Sequence, residues 1–295
     1  WIMQLLDGKL LSANIKKEIK IEVENALNKG LRRPKLAAVL VGHDPASQSY
    51  VRSKIKSCEQ TGFDSDLISL DEDVTQEDLL QIIHRLNTDT LLDGYIVQLP
   101  LPAHINDEEI IRAVDPAKDV DGFHPFNMGK LSLGLETFIP ATPYGILLML
   151  ERYNIKTKGK IAVVLGRSNI VGTPMALLLS RKAAYGNCTV IHTHSATIGL
   201  TNICKSADIL IAAIGVPEFV KADMVKPGAI VIDVGINRVE DVNAKNGYRL
   251  VGDVDFEKVA PKCSFISPVP GGVGLMTVAA LLLNTMKSYK QKHHF

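Results

Sequence analysis

The chain has no apolar run of the length that suggests a membrane span. Its longest, such as "ILIAAIGV" and "VAALLL", fall well short of roughly 18 residues. It also lacks an excess of either charge. Its 33 lysines and arginines stand against 32 aspartates and glutamates, which leaves no global field to recruit nucleic acid or an anionic membrane; only a local basic patch is compatible with these totals. Cysteine is scarce, and Cys58, Cys188, Cys204 and Cys263 form no Cys-x-x-Cys pair. Neither a zinc site nor a disulfide framework is suggested, no metal is expected, and buried thiols in a reducing compartment are the natural reading. The opening "WIMQLLDGK" lacks the basic, apolar and small-residue segments of a signal peptide, so a cytoplasmic location is expected. What is present is a hydrophobic fraction of 46% over 295 residues, enough for two domains that each bury a core.

Helical and strand patterns alternate along the chain. Ser12 is placed to cap a helix carrying Ile15, Ile19, Val23 and Leu27 on one face, closed by Gly30. "KLAAVLVG" then reads as a buried strand, followed by a helix from about residue 46 to 61, a short strand "DLISL", a helix "TQEDLLQIIHRLN" capped by Thr75, and a strand "GYIVQL". This order predicts a parallel sheet with right-handed crossovers. Pro140 and Pro143 mark a turn, and a connecting helix follows Tyr144. From Lys158 the alternation restarts with strands "KIAVVLG", "CTVIHT", "DILIAAIG" and "AIVIDVG", as in a doubly wound nucleotide-binding domain. A final helix from about Gly274 to Lys290 is apolar on one side.

The Gly-x-Gly-x-x-Gly pattern is absent after the first strand of that second half. "VLGRSNIVGTP" has Gly166 and Gly172, with Ser168 and Val171 where glycines would stand. Its context is nevertheless that of a phosphate-binding turn: it follows an apolar strand, precedes a helix, and ends in Pro174, which suits a first helical turn. An ordinary strand-to-helix turn is the alternative. The next strand, "VIHTHSAT", carries no acid to bind ribose hydroxyls, whereas Arg167 and Ser195 are placed to hold a 2'-phosphate. NADP is therefore favoured over NAD. A solvated arginine and a helix-capping serine are the plainer readings of those two residues.

In the first half, Tyr50 and Lys54 lie four residues apart, on one face of a helix. Alone, the pair is more often an amphipathic helix with a snorkelling lysine. Gln98 at the end of an apolar strand, and Asp119 and Asp121 in "KDVDGFHP", supply an amide and carboxylates at the end of a parallel sheet where ligands gather.

Eight ordered segments, "SQSYVRSK", "DGYIVQLPLP", "KDVDGFHPFNMGKL", "PATPYGI", "VVLGRSNIVGTPMALLL", "GAIVIDVGIN", "GDVDF" and "PVPGGVGLMTVAALLLNT", together resemble the bifunctional methylenetetrahydrofolate dehydrogenase/methenyltetrahydrofolate cyclohydrolase family, from about Leu10 to Met286. The resemblance implies a two-domain α/β fold. Residues 1–143 would form a parallel-sheet folate-binding catalytic domain, with helix 275–295 packed back on it, and residues 144–274 a Rossmann-like NADP-binding domain, with a cleft between the two. It implies that Lys54 is central to the cyclohydrolase step, assisted by Gln98, with Tyr50 against the folate ring and Asp121 binding the pterin. Leu99, Pro100, Pro270 and Gly271 are implied as further substrate contacts, and Gly166, Arg167, Ser168, Ser195 and Ile236 as NADP contacts. Tetrahydrofolate substrates, one-carbon metabolism and a homodimer through the cofactor domain follow from the same resemblance. "SRKAAYGNCTV" is longer than the simplest family pattern before the second strand. The residues by themselves leave two rivals open, another two-domain NAD(P)-dependent dehydrogenase and a non-catalytic NADP-binding sensor.

Overall fold

The computed structural model describes residues 2–242, 244 and 247–293. The chain divides into two compact units. One is Ala13–Ala141 with Val278–Phe295, and the other is Trp1–Ser12 with Thr142–Thr277. The sequence reading groups the first twelve residues with the folate domain. In the structure, β1 (Gln4–Leu5) instead pairs in parallel with β11 (Cys263–Ile266), and Leu6 N extends that ladder to Ile266 O at 2.8 Å. Two residues of strand are too few for periodicity to reveal.

Helix α1 (Gly8–Asn28) runs from one unit into the other. It starts a turn earlier than the expected cap at Ser12. Asp7 Oδ1 accepts from Leu10 N at 2.9 Å, and the Ser12 hydroxyl donates back to Lys9 O within the helix. Aspartate and serine cap about equally well, so the spacing of apolar residues could not decide between them.

The unit built around Ala13–Ala141 carries β2 (Lys35–Val41), α2 (Pro45–Thr61), β3 (Asp64–Leu70), α3 (Gln76–Thr88), β4 (Gly94–Val97), α4 (Asp107–Ala113) and α5 (Pro125–Ser132). The strands form a parallel sheet in the order β3-β2-β4. β2 is central and buried from Leu36 to Val41, and α3 covers it with Leu79, Ile83 and Leu86. The chain leaves β2 to one side for β3 and returns to the other for β4. That reversal places a ligand crevice at the C-terminal ends of β2 and β4.

The second unit holds α6 (Ala141–Arg152) from Thr142 onward, β5 (Ile161–Leu165), α7 (Gly172–Ser180), β6 (Thr189–Thr193), α8 (Leu200–Ser206), β7 (Ile209–Ala212), β8 (Ala229–Asp233), β9 (Asn237–Glu240), β10 (Tyr248–Val251) and α9 (Phe256–Val259). Helix α10 (Val273–His293) starts here and continues into the other unit. The main sheet is parallel, ordered β1-β11-β8-β7-β5-β6, and β9 and β10 form a separate antiparallel pair. From β5 the chain moves outward to β6 and then back past β5 to β7. The switch point of this doubly wound sheet therefore lies at the end of β5, where Gly166 follows.

Candidate active site

Helix α2 is fixed at both ends. Asp44 accepts from Ser47 N at 2.7 Å, Pro45 occupies the first turn, and Gly62 closes the helix in the left-handed region at φ 82°. The inner face carries Ser47, Val51, Lys54 and Cys58, all buried. Lys54 is thus an amine inside the core, 9% exposed. Its Nζ donates to Gln98 Oε1 at 3.0 Å. Gln98 is held in turn: its backbone N donates to Val39 O at 2.9 Å, extending the β4 pairing, and its Nε2 donates to Leu99 O at 2.7 Å. The glutamine therefore presents a carbonyl oxygen, rather than a charge, to the amine. Tyr50 stands one turn before Lys54, with 36% of its surface exposed.

Burial drives the Lys54 ammonium below the usual lysine range, opposed by the Asp121 carboxylate. Burial likewise raises Asp121, opposed by Lys54. The two groups form an electrostatic pair in which each favours the other's charged form. Asp121 sits on a turn closed by Gly122 at φ 76°, where a Cβ would come 2.7 Å from Pro140 N. It shares a small cavity with Leu99, Tyr95, Ile110, Phe123 and Asp119. Asp119 acts as the peg of that turn: its carboxylate accepts from Phe123 N (3.1 Å), His124 N (2.8 Å) and Asn127 Nδ2 (2.8 Å). Pro100 follows Leu99 across a cis bond. Lys54, Gln98, Leu99, Pro100 and Asp121, implied from sequence, all belong to this one unit, as does Tyr50.

The remaining implied residues lie in the second unit. Gly166 leaves β5 at φ 115°, and a Cβ there would sit 2.0 Å from Ala213 O. Gly172 opens α7 so close to β5 that a Cβ would sit 2.0 Å from Gly166 O. Both positions exclude any side chain. Ser168 does more than replace a glycine, since its Oγ accepts from Val171 N (3.2 Å) and Gly172 N (3.3 Å), and its carbonyl accepts from Thr173 N (3.0 Å). With Pro174 next in line, the first turn of α7 is satisfied by its own loop, where the sequence predicts amides presented to a phosphate. His192 Nε2 contacts Gly166 O at 2.8 Å and ties the turn to β6. Arg167 and Ser195 are exposed beyond β5 and β6, and Ser195 lies in a turn rather than at a helix start, since α8 begins at Leu200 with Gly199 as its cap. Ile236 lies over the start of α10, where a Cβ on Gly274 would be 3.0 Å from its Cδ1. Pro270, preceded by a cis bond, and Gly271 precede the same helix.

A strand end at the switch point, a glycine-shaped turn, an arginine and a serine with no acid at the end of β6 together fit a dinucleotide with a 2'-phosphate. Among the described residues no group of histidine, cysteine or acid side chains could hold a metal ion, and no helix is long and apolar enough to cross a membrane. Burial pushes the thiols of Cys58 and Cys263 up to about 12, which keeps them protonated and inert. Sequence reasoning missed the Asp119 peg and the Ser168 cap. The signal for the cap was available as a serine four residues before the first helical glycine.

The model of the tetrahydrofolate dehydrogenase/cyclohydrolase catalytic domain matches residues 6–121, and that of the family's NAD(P)-binding domain matches residues 140–293. The chain is 58% identical over 287 residues to the bifunctional protein FolD of Porphyromonas gingivalis, covering 97% of each chain. Among solved structures it resembles the bifunctional FolD methylenetetrahydrofolate dehydrogenase/cyclohydrolase of Campylobacter jejuni, with a TM-score of 0.92, 49% identity and coverage of 98% of this chain and 99% of that one. It is also similar to the Trypanosoma brucei methylenetetrahydrofolate dehydrogenase-cyclohydrolase complexed with NADP and an inhibitor, with a TM-score of 0.94, 37% identity and coverage of 99% of each. Motifs, fold and both domain matches agree, and the chain belongs to the tetrahydrofolate dehydrogenase/cyclohydrolase family.

Proposed function

We propose that this chain oxidises 5,10-methylenetetrahydrofolate to 5,10-methenyltetrahydrofolate with NADP and hydrolyses the product to 10-formyltetrahydrofolate, with Lys54 as the residue on which the second step depends. The observation that carries the assignment of Lys54 is its buried amine hydrogen-bonded to Gln98 at 3.0 Å. A lysine becomes a useful base when its ammonium is disfavoured, and burial does that here. A cationic methenyl substrate beside it would lower the amine further. Asp121 acts in the opposite sense, so the amine stays protonatable. Water adds to the methenyl carbon and gives up a proton toward Lys54. The hydroxyl left on the carbon then loses its proton as its oxygen becomes the formyl C=O, the carbon–N5 bond breaks with its electron pair going to N5, N5 takes a proton, and the formyl group stays on N10. Gln98 orients the amine without adding charge, Tyr50 lies against the folate ring, and Asp121 with Leu99 and Pro100 receives the pterin end. Pro270 and Gly271 contact the substrate as well.

Oxidation asks less of the side chains. The methylene carbon lies between two nitrogens whose lone pairs stabilise the cation left when hydride departs, so holding the substrate in place is the main requirement. When bound, NADP supplies the nicotinamide C4 that accepts that hydride. Gly166, Arg167, Ser168, Ser195 and Ile236 would hold it. Because the first turn of α7 is already satisfied by Ser168, Arg167 and Ser195 carry the recognition of phosphate, together with the field at the helix start. A homodimer in the cytoplasm is part of the same reading, supported by the motif resemblance, and sedimentation at micromolar concentration reads its oligomeric state.

The test is Lys54→Met. Cyclohydrolase turnover of methenyltetrahydrofolate is expected to vanish, while NADP-dependent oxidation, followed at the methenyl absorbance, persists. Equal loss of both activities in a folded variant would refute the division of labour.

A further inference from the structure

Two buried carboxylates at the C-terminal edge of the six-stranded sheet have no part in the chemistry above. Asp233 ends β8 and Asp253 follows β10, and they are 3% and 0% exposed. Asp253 Oδ2 accepts from Ile214 N (2.7 Å) and Gly215 N (2.9 Å), and its Oδ1 accepts from Asn237 Nδ2 (3.0 Å). Asp233 Oδ1 accepts from Gly235 N (3.0 Å) and Asp253 N (2.8 Å), and its Oδ2 accepts from Val254 N (3.0 Å). Asp233 is itself anchored, its N donating to Ser267 Oγ at 2.7 Å. The glycines of "IDVGIN" and "GDVDF" make room for these groups. A Cβ on Gly252 would lie 1.8 Å from Asp233 Oδ2, and one on Gly235 would lie 2.1 Å from Asp253 Oδ1.

Carboxylates without water persist only where donors replace it. Here the donors come from three separate stretches: the exit of β7 at Ile214 and Gly215, the exit of β8 at Gly235 with Asn237, and the segment from Asp253 to Val254. The exits of β7 and β8 lie at the ligand-binding edge of a parallel sheet. Ile236 sits between Gly235 and Asn237, so both its neighbours are tied to the pair. Ala213, next to Ile214, supplies the carbonyl against which Gly166 packs.

We infer that Asp253, seated on Asp233, is a positioning residue for the dinucleotide: it sets the loops Ile214–Gly215 and Gly235–Asn237 around the Gly166 turn and thereby governs NADP affinity. The inference rests on the reading that this edge takes NADP. Lys54, Gln98, Tyr50 and Asp121, on which the proposed cyclohydrolase step depends, lie in the other unit and make none of these hydrogen bonds, so a selective effect separates positioning from a general loss of fold.

The experiment compares the full-length parent, Asp253→Ala and Asn237→Ala by calorimetric titration with NADP and by both activities. Asp253→Ala leaves three donors without their acceptor and is expected to raise the NADP Kd and the dehydrogenase KM for NADP roughly tenfold or more. Cyclohydrolase kcat/KM should stay within about twofold. Asn237→Ala removes only the arm beside Ile236, on a half-buried residue, and should raise the Kd about threefold; it carries the test where Asp253→Ala does not fold. An unchanged Kd in whichever variant folds, or a parallel fall of both activities at unchanged Kd, overturns the inference. A parent that binds no NADP instead defeats the functional reading beneath it, and the two failures are thus distinct.

Discussion

Lys54 and Asp119 sit in the same unit and meet the same loss of water with opposite results. For the amine, burial disfavours the cation and lowers the pKa. For the acid, burial disfavours the anion and pushes the carboxyl up to about 7, against hydrogen bonds from Asn127 and His124 that pull it down. The first shift is the one the proposed chemistry needs, and the second is a cost of holding the turn that carries Asp121. An unfolded aspartate titrates near its ordinary value of about 3.9, so between about pH 4 and pH 7 the folded chain holds a proton here that the unfolded chain has released. Stability therefore falls as pH rises through that window. Asp233, also raised to about 7 by burial, adds in the same direction. Asp119→Asn cannot titrate, so the drop in urea midpoint between pH 4.5 and pH 8 should be smaller than in the parent. Equal drops in parent and variant would mean that Asp119 ionises normally.

At the scale of elements, the turn from β5 into α7 shows what residue order conveys and what it hides. The buried runs of β2, β5, β7 and β8 and the amphipathic α3 were legible because each extends its period long enough to stand out. β1, α4, α5, β9, β10, α9 and β11 escaped, each being short and taking its place from neighbours in space. Thr75 was legible as a cap and does accept from Asp78 N, whereas Ser12 looked equally suitable and is not one. In "GRSNIVG" the glycines could be assigned to close approach, but Ser168 read as a stand-in glycine because the sequence does not show which amides its hydroxyl reaches. Close approach is testable at Gly172, where a Cβ would stand 2.0 Å from Gly166 O with only backbone to give way. Gly172→Ala should displace the start of α7 from the end of β5 and raise the KM for NADP by roughly an order of magnitude. Cyclohydrolase turnover should be spared. A KM within experimental error of the parent would show that the turn relaxes without consequence for the dinucleotide.

Across the whole molecule, neither unit is a continuous piece of chain, and the alternation of strand and helix could announce two sheets without telling which terminal segment completes which. The first twelve residues supply β1 to the second unit, and the chain from Val278 onward closes the first. That last segment reaches the candidate site through Asn284, 2% exposed, whose Nδ2 donates to Val120 O and Ile139 O, both at 2.8 Å. Val120 precedes Asp121, and Ile139 stands against the Gly122 turn, where Ala141 N donates to Asp121 O at 3.2 Å. Ser288 Oγ and Tyr289 Oη anchor the same helix to Asp93 O and Arg32 O. One amide on a distant helix thus fastens both flanks of the turn bearing Asp121. Asn284→Ala leaves the buried Val120 carbonyl and the partly buried Ile139 carbonyl without their donor, which costs about 2 kcal/mol and should lower the melting temperature by several degrees. Because both carbonyls flank the Asp121 turn, the KM for methenyltetrahydrofolate should rise several-fold while the NADP Kd stays put. A lower melting temperature with an unchanged folate KM would reduce Asn284 to a fastener of the helix alone.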